Sequence, residues 1–587
     1  MNNKEIVQLF RAIAAAYEIK KENRFKIIAY QRAADAVEHA TSEIKDLWED
    51  GNLKQLPGIG ASISSHLNEL FTQGKVKHWQ EVLADLPPAI FEMISVPGIG
   101  PKTAHKLCKN LGISKAHSAL SKLEKAAKEG KIKNIPTFGA ESEAEILRGL
   151  QEHSRRLERI LLPKAHAIAQ DVLEYLKRSR HIQRADPLGS LRRMSATVGD
   201  IDIAVASDRP KLVIEHFIRY PKKKRVLEAG ESKASLVIRS GEQVDIMIKP
   251  IESYGALLQH FTGSKHHNIH LREIAQKKGL SLSEYGIKKG KKIIECRTEE
   301  EFYRLLGMAW IPPELREDAG EIEVAQKRKI PKLVEAKEVR GDFHVHSDFP
   351  LEPSHDAGEN SLEEIIGKAI RLKYDYIGLA DHSPSTSQHT PEQIIRLIMN
   401  RNKKIEQLKS KYKNYSKRVN LLNSIEADIL TDGQISVPDK ALKTLDLIIA
   451  SIHSSFRQPK QKMTERILRA LSNPYVKILG HPTGRLLLTR EGYEADWNKI
   501  FKFCQTHDKW LEINSMPTRL DLPDTLVREA LKYKVKIVIG TDAHKTEHMD
   551  FMFYGASVAR RGWASKNDII NTLPYSNLIG ILKKLKT

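Results

Sequence analysis

A chain of 587 residues is long enough for about four domains, each able to bury a core of its own. Lys and Arg number 95 against 74 Asp and Glu, a net charge of +21 that favours a polyanionic partner. The cysteines Cys108, Cys296 and Cys504 are odd in number and far apart, which excludes a disulfide framework or zinc ribbon and implies a reducing, cytoplasmic setting; no apolar run spans a membrane.

Glu5 and Arg11 interrupt the first apolar stretch, so it is not a usual signal-peptide core. Ile6, Leu9, Phe10, Ile13 and Tyr17 instead recur at helical spacing and predict an amphipathic helix. Short helices come next. Between them LPGIG at residues 56–60 recurs as VPGIG at 96–100. Gly58 and Gly60, and again Gly98 and Gly100, let the backbone turn tightly, so that N–H groups opening the next helix face a DNA phosphate. This is the helix-hairpin-helix pattern. A lone Pro-Gly-x-Gly more often only joins two helices, but here there are two, and the second opens a helix bearing Lys102, Lys106 and Lys109. Sequence-independent binding to the phosphate backbone is expected.

The stretch GSLRRMSATVGDIDIAVA at residues 189–206 organises the middle of the chain. Gly189 and Ser190 read as a tight turn able to hold a phosphate, with Arg192 and Arg193 adding positive charge. Asp200 and Asp202 lie two apart on a predicted strand and share its polar face, while Ile201, Ile203 and Val205 point into a core. In GEQVDIMIKP, Asp245 alternates with Val244, Ile246 and Ile248; if that strand pairs beside the first, a third carboxylate joins the two. Such a trio holds two magnesium ions about 4 Å apart, the arrangement of nucleotidyl transfer. The basic run PKKKR at 221–225 reads as a solvated turn between strands, and the charged stretch 325–339 as a linker that demands no burial.

Beyond Arg340 short apolar strands alternate with helices, the pattern of a parallel barrel. The strands end in chemistry: His344 and His346, Asp381 and His382, Glu426, His453, His481, Asn514, then Asp542 and His544. In parallel barrels such ends converge on one mouth. A single buried histidine is usually structural, whereas a histidine at strand after strand, with Glu426 and Asp542, calls for metals of the zinc, manganese or iron kind and for hydrolysis of phosphate esters.

These motifs resemble, over nearly the whole chain, the family X DNA polymerases, in the bacterial form that carries a polymerase-and-histidinol-phosphatase (PHP) domain. The resemblance implies a multidomain fold. A helical gap-end-binding domain with the first hairpin spans 1–88 and a helical fingers-type subdomain with the second spans 89–150. An α+β nucleotidyltransferase palm spans 151–250, a thumb 251–320, a linker 321–340 and an α/β distorted (β/α)7 barrel 341–587. It also implies a DNA polymerase filling short gaps in DNA repair and a 3′–5′ exonuclease. Asp200, Asp202 and Asp245 would hold two Mg or Mn ions, and Gly189, Ser190, Arg193 and Gly199 the triphosphate. Phe261 and Gly263 would pack on the sugar, Asn268 would touch the base and Arg272 the template. Lys26 would contact a 5′-phosphate, with Phe25 and Tyr30 beside it. Ser62 and His66 stand where relatives with Schiff-base lyase activity carry lysines, so that route lacks its amine.

In the PHP part, His344, His346, His382, Glu426, His453, His481, Asp542 and His544 would hold up to three Mn, Zn or Fe ions. In the altered loop SDFPLEPSHDAGENS, Asp356 is the candidate further ligand and His355 its alternative; Arg485 is a candidate phosphate contact. The implied partners are gapped or nicked DNA with a 5′-phosphate and deoxynucleoside triphosphates, met by a monomer in the bacterial cytoplasm near the nucleoid. Rival readings are a PHP phosphatase with an inactive polymerase part, a non-catalytic DNA-end scaffold, or a nucleotidyltransferase that tails RNA. The intact carboxylates and paired hairpins favour the DNA polymerase.

Overall fold

The computed structural model describes residues 3–38, 44, 48, 53, 59–96, 98–157, 159–353, 355–412 and 419–583. The chain divides into two compact units, residues 1–159 with 265–279, and residues 160–264 with 280–587.

The first unit is helical among its described residues. Helix α1 (Asn3–Ile19) forms on the predicted stripe, with Ile6, Phe10 and Ile13 fully buried. It packs against α2 (Arg24–Glu38). Helices α3 (Ala61–Gln73) and α4 (Pro101–Leu111) start immediately after the two repeat glycines Gly60 and Gly100. Each ends on a left-handed glycine, Gly74 or Gly112, whose N–H satisfies a carbonyl of the last turn.

The second unit begins with α5 (Leu162–Leu176) over a five-stranded sheet: β1 (Arg184–Pro187), β2 (Ile201–Ala206), β3 (Lys223–Ala229), β4 (Lys233–Ile238) and β5 (Gln243–Lys249). The spatial order is β1-β2-β5-β4-β3, and only β2 and β5 pair in parallel. Val244, Ile246 and Ile248 are buried, and the alternate positions between them half-buried, as period-2 alternation requires. The basic run 221–225 does not remain a turn: Lys223 opens β3, the edge strand, where charge blocks pairing with other chains. Helix α6 (Tyr254–Thr262) succeeds the sheet, and α7 (Lys265–Lys277) belongs with the first unit.

The remainder is a barrel of seven consecutive parallel strands: β6 (Gly341–Val345), β7 (Tyr376–Leu379), β8 (Asn420–Asp428), β9 (Leu447–Ser451), β10 (Val476–Leu479), β11 (Trp510–Asn514) and β12 (Ile537–Gly540). A bridge between Val345 and Ala543 joins the first strand to the end of the last, so the barrel is nearly closed. Nearly every strand residue is buried, because side chains fill the interior on one face and helices cover the other.

The expected solvated linker is instead a packed segment. Ile322, Ala325, Leu333, Val334 and Val339 are buried, Leu333 bridges Ser565, and the N–H of Val334 donates to the Ala564 carbonyl. Its charged residues masked the few apolar ones that anchor it.

Candidate active sites

In the palm-like sheet the parallel register sets Asp202 directly opposite Asp245, which gathers the two carboxylates on one face. Asp200 precedes β2 and is exposed. The N–H of Leu188 donates to the Asp202 carbonyl, which draws the adjoining turn against the strand end. Gly189 there adopts φ +58, and a Cβ on it would stand 3.6 Å from an Asp202 carboxylate oxygen and 3.9 Å from the Phe261 carbonyl. The glycine thus provides both the left-handed backbone and the close approach.

Burial, then repulsion from Asp245 and Asp200, pushes the Asp202 carboxyl up to about 7, with Lys233 opposing. Gln243 donates to both oxygens of Asp245, at 2.9 and 3.1 Å, and so orients it. Asp200, Asp202 and Asp245 thus concentrate negative charge along this edge, with Lys233 opposing it.

Around this edge the two arginines diverge. Arg192 makes a bidentate pair with Glu299 at 2.8 Å and donates to Thr262 Oγ1, and Glu299 is also bound by the fully buried Arg316 at 2.6 Å. Burial alone would raise the Glu299 carboxyl, but Arg316 and Arg192 together hold it down at about 2. Arg192 is therefore committed to the fold. Arg193 donates through Nε to Glu317 at 2.9 Å and through Nη1 to the Thr262 carbonyl at 2.7 Å. Ser190 and Gly199 are half-buried nearby in sequence, and Gly263 caps α6 through its N–H to the Gln259 carbonyl. Asn268 and Arg272 lie on α7, in the first unit.

At the barrel mouth the strand ends converge as their chemistry required. Glu426 stands at the centre: its carboxylate lies 3.2 Å from His344 Nε2, 3.0 Å from His382 Nδ1, 3.0 Å from His481 Nε2 and 3.5 Å from His453 Nε2. His346 Nε2 lies 3.1 Å from Asp542, and the His346 and His544 rings stack with centroids 4.2 Å apart. Four overlapping groups bring ligand atoms within 4.8 Å of one another: His344, His346, Glu426 and Asp542; His346, His382 and His544; His382, Glu426 and His453; and His355, Asp428 and His453.

The fit to metal is also visible in what these atoms lack. His344 Nε2, His382 Nδ1, His544 Nε2 and Glu426 Oε2 are buried without a hydrogen bond, a costly state for apolar surroundings and the ordinary one for metal ligands. Burial opposes charge on His344, yet Glu512, Glu426 and Asp542 raise its pKa well above the usual imidazole value, and Glu426 and Asp542 are held well down by the facing histidines.

Three residues that sequence reasoning passed over set the orientation and charge of these ligands. Glu512 accepts from His344 Nδ1 at 2.6 Å and from the His481 N–H at 2.7 Å. Asp428 accepts from His453 Nδ1 at 2.7 Å, leaving Nε2 turned to the cluster. Carboxylates behind histidines in this way fix ring and tautomer. Arg519 Nε lies 3.7 Å from Asp542, a cation facing the cluster. The signal in the sequence was a lone acid inside the apolar strand WLEIN, and a second acid two beyond Glu426.

Some expected residues fall elsewhere. Asp356 has a mostly exposed side chain, 3.7 Å from His544 Nε2, whereas His355 donates through Nε2 to Asp428 at 3.1 Å. Asp381 pairs with buried Arg401 at 2.5 Å and serves the fold. Arg485 is no free phosphate contact: its guanidinium donates to the Arg519 and Leu520 carbonyls.

In the first unit, Gly98 adopts φ +86 and Gly100 an extended backbone that starts α4, with Lys102 in its first turn. Lys102, Thr103 and Lys106 line a cavity of about 280 Å³ with Gly98, Thr137 and Ser142. Gly58 lies outside the described residues. Lys26 is exposed and paired with Glu22 at 3.1 Å, but Tyr30 is 5% exposed, accepting from Trp79 Nε1 and bonded to His66 Nδ1. Tyr30 is a core residue and not a DNA contact, because its aromatic ring sits on the inward stripe of α2.

Family models match residues 1–76 (helix-hairpin-helix domain), 90–152 (SAM-like helix-hairpin-helix tandem), 257–317 (DNA polymerase beta thumb) and 342–516 (PHP domain). A protein of Bacillus subtilis called DNA polymerase/3′-5′ exonuclease PolX is 34% identical over 588 residues, covering the whole of both chains. DNA polymerase lambda of Arabidopsis thaliana is 24% identical over 349 residues, 54% of this chain and 62% of that one. A protein of Acetivibrio thermocellus called a probable phosphatase is 31% identical over 134 residues, 22% of this chain and 53% of that one. With polymerase relatives matching about half of it, phosphatase relatives matching a smaller part, and one relative matching end to end, the chain belongs to the PHP-bearing family X DNA polymerases, joining a DNA polymerase and a 3′–5′ exonuclease in one polypeptide.

Proposed function

We propose that this polymerase fills short gaps in DNA during repair and that its PHP site trims the 3′ ends it then extends. Gapped or nicked DNA carrying a 5′-phosphate is the substrate, and a monomer in the bacterial cytoplasm acts on it. Residues 1–88 and 89–150 hold DNA through the hairpins, 151–250 and 251–320 form palm and thumb, and 341–587 is the phosphoesterase. The observation that carries the polymerase half is the register of Asp202 against Asp245, with the Gly189 turn closed on them.

In this reading Asp200, Asp202 and Asp245 would together hold two Mg or Mn ions. Bound cations would lower the pKa of the primer hydroxyl, or of the hydrolytic water at the PHP cluster, and neutralise charge on the phosphate oxygens. Gln243 keeps Asp245 facing the edge. Ser190, Arg193 and the backbone at Gly189 and Gly199 orient the triphosphate, Phe261 and Gly263 bear on the sugar, and Asn268 and Arg272 contact base and template. At the barrel mouth His344, His346, His382, Glu426, His453, His481, Asp542 and His544 hold up to three Mn, Zn or Fe ions, with Asp356 or His355 at the edge. Glu512 and Asp428 hold the rings of His344 and His453, and Arg519 draws in the phosphate.

The test separates the halves. Asp202→Ala should abolish primer extension and leave 3′ trimming intact, and His344→Ala should do the reverse, each read on the same gapped substrate. Loss of both activities in either folded variant would contradict two independent sites.

A further inference from the structure

The end of the helix Met552–Arg561, which covers the PHP barrel, reaches the polymerase turn that bears Arg193. Arg561 is only 10% exposed, and its guanidinium is divided among three acceptors. Nε donates to Asp524 at 2.8 Å, within the barrel domain. Nη1 donates to the main-chain carbonyl of Arg193 at 2.7 Å and to Glu317 Oε1 at 3.0 Å. Arg193 binds that same Glu317 oxygen through its own Nε at 2.9 Å.

One carboxylate oxygen is thus shared by two guanidiniums, one from each enzyme. Glu317 alone with Arg193 would cancel its charge and hold it away from an incoming anion. With Arg561 drawing on the same oxygen, and Asp524 answering Arg561 in turn, the four charges balance, so Glu317 grips Arg193 less tightly than it would alone, and the Arg193 backbone is pinned at the end of the phosphate-binding turn. The adjacent Arg560 makes a separate contact, to Glu314 at 2.7 Å and to the Val334 carbonyl.

We infer that Arg561 of the PHP domain is a positioning residue for nucleotidyl transfer: it competes with Arg193 for Glu317 and keeps Arg193 in place for the triphosphate, so that the exonuclease domain is needed for tight nucleotide binding by the polymerase. This rests on the reading of Arg193 as a triphosphate ligand. The metal cluster is not involved, since Arg561 makes its contacts on the outer side of the barrel with Asp524, Glu317 and the Arg193 backbone.

The experiment uses the full chain and single-nucleotide extension at varied deoxynucleotide concentration, with thermal melting as a fold control. Arg561→Ala should raise the nucleotide KM about tenfold, the scale of one lost charged hydrogen bond, while kcat changes less than about twofold and 3′ trimming stays at the wild-type rate. Arg561→Lys should fall between, because an ammonium cannot bridge three acceptors in a plane. Arg560→Ala, which loosens the same interface through Glu314, should leave the nucleotide KM unchanged.

Adding Glu317→Gln to Arg561→Ala should bring KM back to within about twofold of wild type, because Arg193 is no longer neutralised; a merely loosened interface would show no such rescue. Wild-type KM in Arg561→Ala, alongside a raised KM in Arg193→Ala, would overturn the inference and spare the reading of Arg193. Wild-type KM in Arg193→Ala would overturn that reading and the inference with it. An equal rise in KM for Arg560→Ala, or no rescue by Glu317→Gln, would also overturn it.

Discussion

The most consequential single groups are carboxylates that touch no substrate. Glu512 fixes His344 through Nδ1 and caps the His481 backbone, so Glu512→Gln should weaken metal binding at the PHP site by about 10- to 100-fold, read as a rightward shift in the manganese titration of 3′ trimming, with extension in magnesium unchanged. Glu299 has the comparable role beneath the nucleotide turn, clamped by Arg192 and Arg316. Its folded-state pKa of about 2 lies below the ordinary 4.5, so its contribution to stability is complete above pH 4.5 and is lost as pH falls from there towards 2. Glu299→Gln should flatten that part of the acid-unfolding curve and cost about 3–5 kcal/mol at neutral pH, because the fully buried Arg316 and the half-buried Arg192 lose their counter-charge. Melting curves between about pH 3 and 7 check both effects.

At the scale of elements, the strand pattern made the carboxylate edge readable: alternation placed Asp202 and Asp245 on one polar face, although Asp200, expected on the same strand, lies just before it, and parallel strands ending in His or Asp announced a barrel mouth. Pairing across strands was not readable. Glu512 and His344 lie on strands far apart in sequence, and only barrel closure brings them together. Arg485 and Asp381 looked like site residues because they flank one, but each is spent on the fold. The packed segment 321–339 and the core position of Tyr30 were hidden by charged neighbours that describe solubility and not burial. The hairpins were legible as glycine spacing, and their geometry sharpens what glycine does: Gly98 needs its positive φ while Gly100 does not. Gly98→Ala should therefore strain the turn by about 1 kcal/mol and weaken DNA binding, whereas Lys102→Ala should reduce the log–log salt slope by about one unit without altering the fold. Binding isotherms between about 50 and 200 mM salt distinguish the two.

Across the whole molecule, a net charge of +21 and two helix-hairpin-helix regions suit a DNA substrate, and the barrel mouth carries a metal-competent cluster while the palm-like sheet carries a separate carboxylate edge. The palm-like sheet and the barrel are not beads on a string: the packed segment 321–339, Arg560 and Arg561 tie them into a single unit. The most direct test of two enzymes in one chain is a gel of labelled primer on gapped DNA with a 5′-phosphate, incubated with manganese, with and without deoxynucleotides. Two working sites predict growth of the primer across the gap when nucleotides are present and stepwise shortening from the 3′ end when they are absent. A primer that stays intact without nucleotides, or fails to grow with them, would contradict the presence of both enzymes.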